Sequence, residues 1–284
     1  MTARFFDLDA LGLTLLEESK GRAAALTRKG IIPCLALVEV GDDPQSATYV
    51  SRKIEDCKKV GIAVQKIVLP ATVTQADLLD QILRLDRDTS ITGILVQLPL
   101  PAHLNEGQVL QAITTEKDVD GLHSVNLMSL TTSDPSVIPC TVRGIDAVLQ
   151  QTGLVLEGAN VAVLGRGRLV GGPATLLFSG KSRNATVTSL HRKSRNFKDV
   201  LRNSDVIIAA AGSAHLVTPD MVRAGAVVID VGMSWPEGSL QGDVHPAVAE
   251  IASWMTPPDR SFGVMTRMML LKTVLDLAEK RIAA

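Results

Sequence analysis

Short runs of Val, Ile, Leu and Ala, separated by stretches of helical periodicity, constrain this chain more than any other feature. Strands are expected at 34–40 (CLALVEV), 62–69, 91–97 (ITGILVQ), 159–164 (ANVAVL), 185–190 (ATVTSL), 205–212 (DVIIAAAG) and 226–232 (AVVIDVG). Helices are expected at 11–29, from the Gly41-Asp42-Asp43-Pro44 turn through residue 59, near 74–86, over 143–152, from about Pro173, and over 265–282. Within 11–29, Leu15, Leu16, Ala23 and Leu26 share one helical face. Pro99 and Pro101 stop the strand before them, because proline has no N–H to give a sheet. Uninterrupted apolar strands suit burial on both faces, and βα alternation produces parallel sheets with right-handed crossovers. The fold class is therefore α/β, as two doubly wound βα domains with a cleft between them and ligands at the carboxyl ends of the strands. The turn-rich stretch TTSDPSVIP at 131–139 divides a first domain, 1–138, from a Rossmann-type second domain, 139–264, with the last helix (265–284) packing back on the first.

Composition supports this architecture and removes several function classes. A chain of 284 residues accommodates two domains, and 46% hydrophobic residues with only 3% aromatic ones describe an aliphatic core. The formal charge of −1 gives no field for nucleic acid or an anionic membrane. Cys34, Cys57 and Cys140 are few and widely spaced, which reads as buried thiols in a reducing compartment. Acidic residues among the leucines of the first twenty positions argue against a targeting peptide, and no apolar run approaches the ~20 residues of a membrane span. A cytoplasmic protein is expected. His103, His123, His215 and His245 share no metal-ligand spacing, so no metal is assigned.

Strand 159–164 runs into Gly165-Arg166-Gly167-Arg168-Leu169-Val170-Gly171-Gly172-Pro173 and then a helix. Glycines let a backbone approach a pyrophosphate, whose charge suits a helix N-terminus. The spacing is GxGxxxG, and a turn that only packs a strand on a helix is the plain alternative; the βαβ context favours a dinucleotide. The next strand ends in His191-Arg192-Lys193-Ser194-Arg195, without the acid that holds the ribose hydroxyls of NAD. Arg192, with Arg166, offers guanidinium where a 2′-phosphate sits, although a solvated basic loop would look the same. NADP is favoured over NAD.

A second polar constellation lies upstream. Tyr49, the one tyrosine of the chain, stands four residues before Lys53, so both project from one helical face. Gln97 ends a buried strand, where an amide needs hydrogen-bond partners. The stretch Lys117-Asp118-Val119-Asp120-Gly121 follows. A ring, an amine, an amide and a carboxylate make a substrate pocket, yet packing tyrosines and solvated lysines are common, and the residues alone leave both readings open.

These motifs resemble those of the bifunctional methylenetetrahydrofolate dehydrogenase/methenyltetrahydrofolate cyclohydrolases. The matching stretches, in order, are GDDPQSATYVSRK (41–53), GILVQLPLP (93–101), KDVDG (117–121), PCTVRG (139–144), GRGRLVGGP (165–173), NATVTSLH (184–191), GAVVIDVG (225–232), GDV (242–244) and MT (265–266). The resemblance implies that NADP takes hydride from methylenetetrahydrofolate and that water then opens the methenyl product to formyltetrahydrofolate. It implies Lys53 as the residue of the hydrolytic step, tuned by Gln97, with Tyr49 stacking on the folate and Asp120 accepting hydrogen bonds from the pterin. Ser46 and Pro99 join the substrate side by the same resemblance. Gly165, Arg166, Gly167, Val170, Gly171, Pro173, His191, Arg192, Ala211, Gly212 and Thr141 form the implied cofactor side, and a homodimer is the implied assembly.

The chain departs from the family pattern in places. Gly167 and Arg192 stand where serines are usual, and Val142 replaces a proline. PPDRSFGVMT at 257–266 replaces PVPGGVGPMT, so Arg260 and Ser261 occupy two glycine positions. This loop is expected to take another path, since glycines permit backbone angles that side chains forbid. Two alternatives follow: a paralogue that keeps only the cyclohydrolase step, and an NADP-dependent dehydrogenase of small acids.

Overall fold

A computed structural model describes residues 2–41, 44–234 and 240–283, the side chains of 44–46 and 283 excepted. Along the chain run β1 (Arg4–Phe5), α1 (Leu8–Arg28), β2 (Cys34–Val40), α2 (Pro44–Val60), β3 (Ala63–Leu69), α3 (Gln75–Arg87), β4 (Gly93–Val96), α4 (Glu106–Gln111), α5 (Ser124–Ser129) and α6 (Cys140–Gln150). Then come β5 (Asn160–Leu164), α7 (Gly171–Ser179), β6 (Thr186–Leu190), α8 (Phe197–Arg202), β7 (Val206–Ala209), β8 (Val227–Asp230), β9 (Trp254–Met255) and α9 (Gly263–Ala283). Among the described residues, no helix is long and apolar enough to cross a membrane.

Two compact units emerge, and their limits differ from the expected boundary at 138/139. One unit comprises residues 1–10 and 127–266, the other 11–126 and 267–284. The N-terminal residues join the first of these because β1 pairs in parallel with β9, Arg4 opposite Trp254 and Phe5 opposite Met255. Phe6 stacks on Trp254 with ring centroids 5.0 Å apart, and the Arg4 guanidinium lies over the same indole. Strands of two residues carry no periodicity, so neither β1 nor β9 was expected.

The unit containing 127–266 holds a six-stranded sheet, ordered β1-β9-β8-β7-β5-β6, with every pairing parallel. β5 is buried apart from its first residue, and β7 throughout, as their apolar sequences require. The chain leaves β5 for β6 on one side and returns to β7 on the other. The strand order therefore reverses between β5 and β7, the position where doubly wound sheets open a crevice at their carboxyl ends.

The unit containing 11–126 is built on a three-stranded parallel sheet, β3-β2-β4. β2 coincides with the expected 34–40 and is central, buried along its length except at its two ends. Ala36, Val38, Ile94 and Val96 pack against Leu78, Ile82 and Leu85 of α3. α1 begins three residues before expectation because the Asp7 carboxylate accepts the Ala10 N–H at 2.9 Å, an N-cap. Residues 267–283 of α9 belong to this unit. Arg267 Nε donates to Asp56 Oδ2 at 2.7 Å, Arg22 reaches Asp276 at 2.6 Å and Glu279 at 2.7 Å, and Arg281 donates to the carbonyl of Ile91 at 2.7 Å.

Candidate active site

The carboxyl end of the three-stranded sheet gathers the first constellation. β2 ends at Val40, α2 starts at Pro44, and its inner face carries Tyr49 and Lys53, both half-buried. Lys53 Nζ donates to Gln97 Oε1 at 2.9 Å. The Gln97 N–H continues the β4 ladder onto the carbonyl of Val38 at 2.8 Å, and its side-chain amide donates to the carbonyl of Leu98 at 2.7 Å. With the amide nitrogen so committed, the oxygen is the atom turned to the amine. Pro99 follows across a cis peptide bond and is exposed. The Ser46 side chain lies outside the described residues.

Asp120 comes from a loop anchored on β4. Asp118 bridges Ile94 in parallel, which sends the following residues toward the carboxyl end of β4, where Gln97 stands. Gly93 permits this approach: a β-carbon there would fall 2.1 Å from Val119 Cγ1. Lys117 is buried, and its ammonium donates to the carbonyls of Leu85, Asp86 and Asp88 at 3.2, 2.5 and 2.6 Å, closing the C-terminus of α3. Burial, then the nearby Arg281, lowers the Lys117 pKa. Asp118 Oδ2 accepts the N–H of His123 at 2.8 Å and the amide of Asn126 at 2.9 Å. Lys117 and Asp118, adjacent to Asp120 but given no role from sequence, thus fix the loop that presents it.

The carboxyl edge of the six-stranded sheet gathers the second constellation. Gly165 leaves β5 with φ +103°, and a β-carbon on it would lie 2.1 Å from the carbonyl oxygen of Ala210. A β-carbon on Gly171 would lie 2.2 Å from the carbonyl oxygen of Gly165, while one on Gly167 would meet nothing within 4 Å. The turn is therefore closed on its inner side and open at Gly167, a backbone cradle above the first turn of α7, which carries Pro173. Val170 directly precedes that helix. Arg166 is exposed at the mouth of the turn.

β6 ends in a tight turn. The His191 N–H donates to Ser194 Oγ at 2.9 Å, the Ser194 N–H returns to the His191 carbonyl at 2.8 Å, and the Lys193 N–H donates to His191 Nδ1 at 3.2 Å. Arg192 projects from the tip, exposed and, among the described residues, without an ion-pair partner. Ala211 and Gly212 follow β7, their N–H groups donating to the Asp243 carboxylate at 2.5 and 3.1 Å. Thr141, in the first turn of α6, shares a hydroxyl contact of 3.0 Å with Thr266; the structure ties it to α9 rather than to the glycine turn.

Two carboxylates at this edge were absent from the sequence expectations. Asp243 is fully buried and Asp230 half-buried, and burial, opposed by backbone N–H bonds and reinforced by the Asp243 charge, raises the Asp230 pKa to about 7. Both lie in stretches that match the family, GAVVIDVG and GDV, but those stretches carried no role for the acids. Of the cysteines, Cys57 is buried and its thiol pKa is pushed up to about 12 by burial, an unreactive group.

Residues 257–266 are held at several points. The Arg260 N–H bonds to the Pro257 carbonyl at 3.2 Å, and the Arg260 guanidinium reaches Asp9 at 3.5 Å. Ser261 Oγ accepts the N–H of Gly263 at 3.1 Å, capping α9 with a hydroxyl that glycine lacks. Phe262 and Met265 pack on Gly144 of α6, where a β-carbon would stand 3.2 and 3.1 Å from them.

Comparison with known proteins places these features in one group. Residues 7–120 match the model for the catalytic domain of tetrahydrofolate dehydrogenase/cyclohydrolase, and residues 139–282 the model for its NAD(P)-binding domain. The chain is 46% identical over 286 residues to the bifunctional protein FolD of Burkholderia multivorans, covering 100% of both. Among solved structures, it is 37% identical to the bifunctional enzyme FolD, a methylenetetrahydrofolate dehydrogenase/cyclohydrolase, of Campylobacter jejuni. That match has a TM-score of 0.95 over 98% of this chain and 99% of that one. It is 32% identical to the Trypanosoma brucei enzyme complexed with NADP cofactor and inhibitor, with a TM-score of 0.93 over 100% of both chains.

Proposed function

The chain belongs to the tetrahydrofolate dehydrogenase/cyclohydrolase family, and from that membership we infer a two-step reaction on a one-carbon folate. Methylenetetrahydrofolate is oxidised to methenyltetrahydrofolate with NADP, and water then converts the methenyl compound to formyltetrahydrofolate. The observation that carries the assignment of residues is the Lys53–Gln97 hydrogen bond of 2.9 Å at the carboxyl end of β4.

In the hydrolytic step, water adds to the methenyl carbon and both of its protons leave the oxygen: one is released, and the other passes to the nitrogen whose bond to that carbon breaks as the formyl C=O forms. Lys53 moves these protons at Nζ. Gln97 orients the amine through its oxygen, which cannot turn away while its nitrogen holds the carbonyl of Leu98. Asp120 accepts hydrogen bonds from the donor-rich pterin edge, and Tyr49 stacks on the aromatic part of the folate. Ser46 and Pro99 complete the substrate side.

The cradle at Gly165–Gly171, closed to any β-carbon on its inner face, fits a pyrophosphate. NADP, when bound there, supplies the hydride acceptor. Gly167, Val170 and Pro173 shape the turn, Arg166 and Arg192 take the 2′-phosphate side, His191 anchors the loop that carries Arg192, and Ala211, Gly212 and Thr141 join the cofactor side. A homodimer and a cytoplasmic location belong to the same proposal and rest on the resemblance to the family. Neither the cyclohydrolase-only reading nor the small-acid dehydrogenase reading has a specific observation in its favour.

Hydrolysis of methenyltetrahydrofolate, followed by its absorbance, tests the residue assignment. Lys53→Ala is expected to lose hydrolysis while the protein stays folded. Hydrolysis retained in that variant removes Lys53 from the mechanism.

A further inference from the structure

We propose that Asp243 is a positioning residue for cofactor binding: its carboxylate sets the backbone of 211–213 before any cofactor arrives, and Asp230 holds Asp243 in place. The inference rests on the NADP-linked reading, because that reading puts Ala211 and Gly212 on the cofactor side.

Three successive amides converge on one carboxylate. Asp243 Oδ2 accepts the N–H of Ala211 at 2.5 Å and of Gly212 at 3.1 Å, and Oδ1 accepts the N–H of Ser213 at 2.6 Å. Gly212 has φ +65°, the left-handed residue that turns consecutive N–H groups into an anion-binding concavity. Here the chain fills that concavity with its own carboxylate, and Asp243 is 0% exposed. The start of the segment is tied down as well. The Ala210 N–H donates to the carbonyl of Leu164 at 2.9 Å, and the Ala210 carbonyl occupies the space a β-carbon on Gly165 would need. The orientation of 211–213 is thereby coupled to the glycine turn at the point where strand order reverses.

Asp230 performs the same service for Asp243. Its carboxylate accepts the N–H groups of Gly232, Asp243 and Val244 at 3.1, 3.1 and 2.9 Å. The two glycines interlock with the two acids. A β-carbon on Gly232 would stand 2.1 Å from Asp243 Cγ, and one on Gly242 would stand 2.1 Å from Asp230 Oδ2. Each carboxylate thus fills the space that a side chain would take on the other acid's segment. Charge-assisted bonds of this kind are stronger than neutral ones, and a weaker acceptor would leave buried amides poorly satisfied. Among the described residues, the groups bonded to the Asp243 carboxylate lie in the segment after β7, so loss of the charge is felt first there.

The test is hydrogen–deuterium exchange on the full-length, cofactor-free protein, read at 211–213, together with steady-state kinetics of wild type and Asp243→Asn. In wild type these amides are expected to exchange slowly without NADP. In Asp243→Asn they exchange rapidly, the KM for NADP rises about tenfold or more, and methenyl-folate hydrolysis stays within about twofold. Rapid exchange in the wild type, or an unchanged KM in the variant, overturns the proposal. A wild type that reduces no NADP at all contradicts the functional reading instead, and the exchange result still decides whether Asp243 sets the segment. Should Asp243→Asn not fold, Gly232→Ala pushes a methyl against the carboxylate with its charge intact, and is expected to produce the same exchange and the same rise in KM.

Discussion

A methyl group on Gly165 would lie 2.1 Å from the carbonyl oxygen of Ala210, so the start of the glycine turn and the end of β7 share a space that only hydrogen fits. The φ of +103° adds backbone strain for any other residue. Gly165→Ala should therefore cost about 3 kcal/mol or more of stability. It should cut NADP reduction by about a hundredfold while methenyl-folate hydrolysis continues. Thermal unfolding and the two assays, run on one preparation, check this; equal losses in both reactions would contradict it.

The Lys117 ammonium gives another separation of roles. It satisfies three carbonyls at the end of α3 and stands three residues before Asp120. Lys117→Met should lower stability by about 3 kcal/mol, the cost of leaving buried acceptors unpaired, and raise the KM for folate through a looser Asp120 loop. Urea denaturation and substrate titration measure the two effects. A stable variant with normal folate KM would show that the loop holds itself.

Arg192, exposed on the His191–Ser194 turn, is the cofactor-choice residue in this account. Arg192→Ala should weaken NADP about tenfold to a hundredfold, the value of a charge-assisted phosphate contact, and leave NAD nearly unchanged. Equal losses for the two cofactors would remove the 2′-phosphate role.

Asp230 gives a pH signature. Its folded-state pKa is raised from 3.8 to about 7, first by burial and also by the Asp243 charge. A raised folded value means that the native state holds the proton more tightly, so this contribution to stability is present below the unfolded value and is lost as pH rises toward about 7. By linkage the full effect is about 4 kcal/mol. The difference in unfolding free energy between Asp230→Asn and wild type should therefore shift in favour of the variant from pH 4 to pH 8. A pH-independent difference would contradict the raised value.

How far these features could be read from sequence depends on how local their cause is. β2 was legible to the residue because a buried central strand needs an unbroken apolar run. β1 and β9 were not, since two-residue strands exist only through their pairing with each other and with β8. The Lys53–Gln97 pair was legible as motif positions, and the structure joins them at 2.9 Å. The roles of Asp230 and Asp243 were not legible, although their motifs were, because their partners are backbone amides, some of them about thirty residues away, and a backbone amide leaves no mark on composition. Residues 1–10 group with 127–266 for the same kind of reason: the pairing of β1 with β9 is a tertiary fact.

The most direct measurement is the reduction of nicotinamide when purified protein is mixed with methylenetetrahydrofolate and NADP, then with NAD, followed by absorbance. Rapid reduction with a clear preference for NADP is expected, with consumption of the methenyl product in the same vessel. Folded protein that reduces neither cofactor would exclude the chain as a methylenetetrahydrofolate dehydrogenase.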